Sequence, residues 1–497
     1  MPKARTVATI LGVITAAAAG AVAVQEARRR AQAAEAAAGG ATPVAGTSRA
    51  ARNTALAGVG AKTGGAYALH RARRAFASAE RQVELDSAFE LQTAESITEA
   101  LGNMKGAMMK LGQMASYLDQ GMPPQVREAL AELQSNAPPM SAELAAQVVT
   151  EELGSSPELA FAEWDPVPIA SASIGQVHRA ITHDGRAVAV KVQYPGVGDA
   201  IRADLGNAGL LFSAMGMLFP GLEPGPLVAE LRERLVEELD YRLEADNQHL
   251  FAEYYRDHPF IHVPDVVFEL STERVLTTEL AEGVRFEEME AWSQAERDLA
   301  AEAIFRFVFG SLYRVHAFNG DPHPGNYLFR PGGRVTFLDF GLVKRFTPDE
   351  ITVLESMIQA MVLDRDIPRF REIITRIGML PGGAAFTDAD IEDYFGHFYD
   401  FVRRDETSTI TPEYASETVR RFFDTSGPYG DVMKAANVPP AFVIIQRINL
   451  GLYAIFGQVR ATANWRKISE ELWPIVGGPP STELGREAAA WAAAHGR

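Results

Sequence analysis

The sequence predicts an α+β fold in two lobes, a small antiparallel sheet followed by a mostly helical body. Three observations predict it. Gln176 to Ile181 and Ala187 to Gln193 are short apolar runs broken at Asp184-Gly185, the pattern of a hairpin. "HVPDVVFEL" and "RVLTTELAEG" then read as two further strands completing the sheet, the second ending in Glu279 to Gly283. Beyond residue 284 the period lengthens, and "AEAIFRFVFGSLYRVHAF" is apolar nearly all round, as a buried helix is.

Composition narrows the function. The chain has 497 residues, enough for more than one domain, and 47% of them are hydrophobic, as in globular proteins. A formal net charge of −17 argues against a nucleic-acid binder, which needs a basic face to neutralise phosphates. The absence of cysteine removes disulfides, thiolate metal sites and cysteine nucleophiles together.

Residues 1–25 form a hydrophobic segment in which "TVATILGVITAAAAGAVAV" has the length, about twenty residues, of a membrane-crossing helix. A secretory signal has a similar basic start and small residues, but this run passes straight into Arg28, Arg29 and Arg30. These outnumber Lys3 and Arg5, so the positive-inside bias puts the rest of the chain on the cytoplasmic face of a membrane. Residues 26–84 are an Ala/Gly-rich basic linker containing "HRARR". In the helical extension at 85–150, Ile97, Leu101, Met104, Met108, Leu111, Ala115 and Leu118 share one face of a long helix, with Lys110 and Gln113 off that stripe and one turn apart. Taken alone, that pair is a solvated face.

The small lobe is expected at 151–283. At the mouth of its first strand, "ASASIG" (Ala170, Ser171, Ala172, Ser173, Ile174, Gly175) is a run of small residues whose main-chain N–H groups an anion can approach closely. Alternation puts Val188 and Val190 on one face of the next strand and Lys191 on the other. A helical region from Leu227 to about Leu250 carries Glu238, Asp240 and Glu244. The helical lobe is expected at 284–475, with a tail at 476–497 that is Gly/Pro-rich, then Ala-rich, and to which no role is assigned. Within that lobe "PPAFVIIQRINLGLYAIFGQV" is apolar but interrupted by Gln446, Arg447 and Asn449, which favours a buried helix over a membrane span.

"NGDPHPGNYLF", from Asn319, has two prolines and a glycine between Asp321 and Asn326, so it is neither helix nor strand. The strand of "RVTFLDFGLV" then ends on Asp339, Phe340 and Gly341. A hairpin joining loop and strand end brings Asp321, Asn326 and Asp339 toward one point, and oxygen ligands of that kind suit Mg²⁺ with substrate phosphates. A strand lysine, a helix glutamate, a loop Asp with an Asn after four residues, and Asp-Phe-Gly stand in the order of the protein-kinase signature. His316 and His323 flank the loop without a third ligand at useful spacing, so they read as loop-ordering residues, not a zinc site.

"MKLGQMAS" at 109–116, "PIASASIGQVHRA" at 168–180, "VKVQYPG" at 190–196, "EELDY" at 237–241 and "DPHPGN" at 321–326 together resemble the UbiB/AarF family of atypical kinase-like ATPases. The resemblance runs from about Leu85 to Lys467. It implies a bilobal protein-kinase-like fold with the N-terminal helical extension packed over the cleft, ATP and Mg²⁺ as cofactors, and an ATP-dependent phosphotransferase or ATPase. Lys191 would hold the α/β-phosphates and pair with Glu244, or in second place Glu238. The loop from Ala170 to Gly175 would cover the phosphates, and the strand end at Glu279 would join the nucleotide site. Asn326 and Asp339 would bind the metal, and Asp321 would act as base or orient the nucleophile. Lys110 and Gln113 would meet Glu238 and Asp240 and gate the cleft against peptides.

The same resemblance implies a small lipid-like or quinone-related partner and a membrane-bound biosynthetic complex. The alternatives are a nucleotide-binding pseudokinase that regulates such a complex and, less favoured, a protein kinase. Two departures stand out. The family commonly has His-Ala-Asp where this chain has Asn319, Gly320 and Asp321, which leaves the loop's hydrogen bonding open, and Ser171 replaces an alanine.

Overall fold

A computed structural model of the chain describes residues 141–171, 174–198, 239–320, 322–383, 385–423, 430–435 and 440–497. The hydrophobic segment at 1–25, the linker and Lys110 and Gln113 lie outside these residues, as do Ala172, Ser173, Glu238 and Asp321.

The small lobe opens with helix α1 (Ala142–Leu153), which starts on the Ser141 cap and stops at Gly154, a residue with φ of 73° that closes the helix in the left-handed conformation. Strands β1 (Glu163–Trp164), β2 (Ala170–Ser171), β3 (Gly175–Ile181), β4 (Ala187–Gln193) and β6 (Val275–Glu279) form one antiparallel sheet ordered β1-β3-β4-β6, with β2 also on β3. Gly185 supplies the positive φ, 87°, that the β3–β4 turn requires.

Register divides the sheet into two faces. Val188, Val190 and Val192 pair with Glu279, Thr277 and Val275 and pack with Val148 and Val149 of α1 into one core. Helix α1 crosses the expected boundary at residue 150 and packs Ala145, Val148 and Val149 into this lobe's core. Lys191 pairs with Val177 and Leu276 on the other face. There Leu276 joins Ile174, Tyr241 and Ala245 in a second small core.

Of the predicted helix from Leu227 to Leu250, the described residues begin at Leu239. Asp240 is extended and its side chain accepts from the Arg242 N–H at 3.0 Å, so helix α2 begins at Tyr241 and runs to Tyr254. "HVPDVVFEL" is not a strand of the small sheet. Pro264 has no N–H to donate, and the segment gives only the short strand β5 (Ile261–His262), a bridge from Val266 to Thr278 and a 3₁₀ turn at Phe268–Leu270.

In the large lobe, helix α3 (Gln294–Arg314) is buried along nearly its whole second half and delivers the chain to β7 (Ala317–Asn319). Strands β8 (Tyr327–Arg330) and β9 (Arg334–Phe337) form a hairpin with β5 parallel to β9, and β10 (Val343–Arg345) returns beside β7. Helices α4 (Pro348–Ile358), α5 (Ile367–Arg376), α6 (Asp388–Gly396), α7 (Pro412–Phe423), α8 (Pro440–Val459) and α9 (Trp465–Leu472) complete the body. The core does not stop at residue 475: helix α10 (Glu483–Ala494) places Leu484 and Trp491 in the same cluster as α3. Among the described residues, no helix is long and apolar enough to cross a membrane.

Candidate active site

Lys191 reaches from the open face of β4 to helix α2, where Nζ donates to both carboxylate oxygens of Glu244, at 2.7 and 2.8 Å. The pair is enclosed, with 19% of the lysine side chain and 3% of the glutamate exposed. Nζ also lies 4.9 Å from the centre of the Tyr241 ring, a cation–π contact from the same helix. Burial alone would lower the Lys191 pKa, but the carboxylates of Glu244 and Asp339 outweigh it and hold the pKa above its ordinary value.

Asp339 stands where the strand region of β9 ends. Its Oδ1 accepts from the Gly341 N–H at 3.0 Å, which curls the Asp339-Phe340-Gly341 turn on itself. A Cβ on Gly341 would lie 3.4 Å from Asp339 Oδ1 and 3.7 Å from Glu244 Oε2, so this glycine sits between the two carboxylates that face Lys191. Phe340 is fully buried beside Phe251 of α2, ring centres 5.1 Å apart. The turn is thus packed onto the helix that carries Glu244.

Asn326 closes a single 3₁₀ turn from Pro324, and its main-chain carbonyl accepts from the Leu338 N–H at 3.0 Å, which fastens it beside Asp339. His323 orders this loop: Nδ1 accepts from the Gly325 N–H at 3.1 Å. In the loop at 170–175, Ala170 and Ser171 pair with Val177 and Gln176. A Cβ on Gly175 would come within 2.3 Å of the Val192 carbonyl oxygen, so only glycine fits at the loop's end.

Three expected site residues lie differently. Ile174 is 2% exposed and packs under the loop with Tyr241 and Leu276, so its side chain supports the loop and offers a ligand no surface. Glu279 shares the face of Val188 and Val190, opposite Lys191, because strand alternation assigns it there; its carboxylate meets His262 Nε2 at 3.3 Å. Asp240 is exposed and caps α2.

Sequence reasoning missed Asn247, Val177 and Ala189, and left the bonding of Asn319 open. Asn247 Nδ2 donates to the Phe340 carbonyl at 3.2 Å while its Oδ1 accepts from Arg345 at 3.3 Å. Asn319 Nδ2 donates to the Asp339 carbonyl at 2.7 Å. Val177 and Ala189 stand with Lys191 on the half-open face of the sheet. Asn247 was within reach of a periodicity argument, since it lies three residues after Glu244 and therefore on the same side of the helix.

A family profile described as the ABC1 atypical kinase-like domain matches residues 132–374. The chain is 34% identical over 303 residues to "Atypical kinase COQ8B, mitochondrial" of Rattus norvegicus, covering 60% of this chain and 57% of that one. It is 31% identical over 290 residues to "Atypical kinase COQ8, mitochondrial" of Saccharomyces cerevisiae, covering 58% of each. The chain thus spans little more than half the length of these curated relatives. A solved complex of Rv3197 with erythromycin, from Mycobacterium tuberculosis, superposes with a TM-score of 0.59 at 31% identity, over 80% of this chain and all of the other. With a small antiparallel sheet, a helical lobe and a lysine–glutamate pair beside Asp-Phe-Gly, the chain has a kinase-like α+β fold and belongs to the UbiB/AarF family of atypical kinases.

Proposed function

We propose that the chain binds ATP with Mg²⁺ and transfers or hydrolyses its terminal phosphate, in support of isoprenoid-quinone or lipid metabolism at a membrane. The observation that carries this reading is the double hydrogen bond from Lys191 to Glu244, with Asp339 beside it. An ammonium has three N–H donors, and with two on Glu244 one is left for a phosphate oxygen. Charge positioned in this way is most of what phosphoryl transfer asks of a protein.

Asp339 and Asn326 would hold the metal. One carboxylate and one amide fit an ion that takes few protein oxygens and keeps phosphate and water as its other ligands. Among the described residues, no group of three or more His, Asp and Glu side chains converges as a protein-only metal cage would require. When bound, Mg²⁺ supplies positive charge to the transferring phosphate. Asp321 orients the nucleophile, the main chain of Ala170 to Gly175 covers the phosphates, and Glu279 contributes through its main chain because its side chain faces away. Lys110 and Gln113, with Glu238 and Asp240, gate the cleft against peptides. A small lipid-like or quinone-related partner is favoured, and the solved M. tuberculosis relative was itself captured with a small molecule, erythromycin.

The test compares ATP turnover by the full chain with and without Mg²⁺, in the native protein and in Asp339→Asn. At about a hundred times its Kd, MgATP is expected to stabilise the native chain by roughly 2.7 kcal/mol, and the variant is expected to lose turnover. Turnover that survives Asp339→Asn would overturn the assignment. Binding without turnover would instead indicate a pseudokinase that regulates a membrane-associated enzyme complex.

A further inference from the structure

Helix α2 spans about 21 Å at the usual rise, with Glu244 in its first turn and Tyr254 at its last residue. Its last turn has no basic residue of its own, although the final carbonyls of a helix carry partial negative charge and lack partners within the helix. Residues from the other end of the chain meet that need. Arg497 Nη2 donates to the Glu253 carbonyl at 3.0 Å and its guanidinium lies 4.4 Å from the centre of the Tyr254 ring. Trp491 Nε1 donates to the Arg256 carbonyl at 2.9 Å, and its ring stands against Tyr254, Tyr255 and His258 with centres 6.0, 6.2 and 4.5 Å away.

The start of α10 is anchored separately. Thr482 caps the helix and binds Glu302 and Arg306 of α3, and Arg306, 4% exposed, also reaches Glu471 of α9 at 2.8 Å. The C-terminal helix is therefore a strap fixed to the large lobe at one end and to the last turn of α2 at the other.

We infer that Trp491 and Arg497 are positioning residues for the nucleotide site: by holding the far end of α2 they set where Glu244 meets Lys191. An α-helix transmits a displacement along its axis, and the Glu244 end packs on the small lobe through Tyr241 and Ala245 while the other end packs on the large lobe through Phe251 and Tyr255. Loosening the strap lets α2 slide along its axis against the small lobe, which draws Glu244 away from Lys191. The effect on ATP rests on the function proposed above; the effect on the ion pair does not.

The experiment uses the full chain without nucleotide and reads the acylation rate of the Lys191 amine by an N-hydroxysuccinimide ester, together with amide exchange over residues 241–254. A lysine released from its carboxylate has more free amine and labels faster. Trp491→Ala is expected to raise Lys191 labelling at least fivefold and to speed exchange in α2. Trp491→Phe, which keeps a ring, is expected to recover most of the native behaviour. Ile374→Val, a core change in α5, which packs on α4 and α6, is expected to leave labelling unchanged and so separates strap loss from general destabilisation. A folded Trp491→Ala protein that labels Lys191 at the native rate would overturn the inference. Should that variant not fold, Arg497→Ala decides: a twofold or greater rise supports the strap and no rise overturns it. ATP affinity, measured in parallel, is expected to fall at least fivefold in Trp491→Ala. Failure of the native chain to bind ATP would refute the proposed function and leave the labelling result intact.

Discussion

Asn319 donates its side-chain N–H to the main-chain carbonyl of Asp339 at 2.7 Å, joining the strand that enters the 319–326 loop to the residue proposed to hold the metal. The family commonly has histidine at this place, and here the amide makes the contact. Asn319 is 8% exposed, so solvent is poorly placed to substitute for it.

Asn319→Ala removes this hydrogen bond from the Asp339 carbonyl, at a cost of about 1–3 kcal/mol. Weakening of MgATP binding or turnover by about tenfold is expected, with Asn319→His recovering most of it. A nucleotide titration followed by melting temperature checks both variants. Equal behaviour of Asn319→Ala and the native chain would remove this hydrogen bond from the site.

Breaking the Lys191–Glu244 pair on one side strands an enclosed charge, which costs about 3–5 kcal/mol. Glu244→Ala is therefore expected to lower stability by about that amount in urea unfolding. Lys191→Met with Glu244→Leu removes both charges and is expected to return most of the stability while abolishing nucleotide binding. A double variant that still binds ATP would show that the pair serves folding alone.

Gly175→Ala places a methyl against the Val192 carbonyl, and since both atoms belong to paired strands the backbone must shift. Overpacking of this kind costs about 1–3 kcal/mol. The urea midpoint is expected to fall accordingly, with nucleotide affinity falling alongside because the loop end moves. Gly185→Ala is the comparison: its φ of 87° carries strain but nothing stands within 4 Å, so stability falls while affinity holds.

His258 tests the strap through pH. Burial, followed by the nearby positive charges of Arg306 and His495, lowers its pKa to about 3, and Nδ1 accepts from the Ile261 N–H at 3.1 Å. The folded value lies below the unfolded value of about 6.5, so the unfolded chain binds the proton first. The contribution is complete above about pH 6.5 and is lost as pH falls toward 3. The difference in urea midpoint between the native chain and His258→Gln should therefore shrink steadily over that interval. A difference that does not change with pH would contradict a neutral, enclosed imidazole.

Much of the site was readable because its residues follow local rules. Strand alternation separates Lys191 from the valines, and the Asp-Gly turn sets the hairpin that presents it. Glu244 could be picked over Glu238 only as a preference, since choosing between carboxylates on one segment requires knowing where the helix begins, and the Asp240 cap decides that. The register of Glu279 against β4 turns its side chain to the far face, and that pairing is not local in the sequence. Ile174 stands among small neighbours, but its size suits it to the core beneath them. The tail was opaque for another reason. Alanine-rich composition hides Trp491, whose partner carbonyl at Arg256 lies 235 residues earlier, and no periodicity reports a contact of that span.

The two faces of β4 meet different physical demands. Val188, Val190 and Val192 are interchangeable only with residues that fill the same volume, whereas Ala189 and Lys191 stand on the half-open face, Lys191 tied to Glu244. Change at Ala189 is therefore expected to carry little penalty in heat tolerance, whereas change at Lys191 strands the Glu244 carboxylate and carries a large one. A saturation library across residues 187–193 would then lose growth temperature at Val188, Val190 and Val192, ligand choice at Ala189, and both at Lys191.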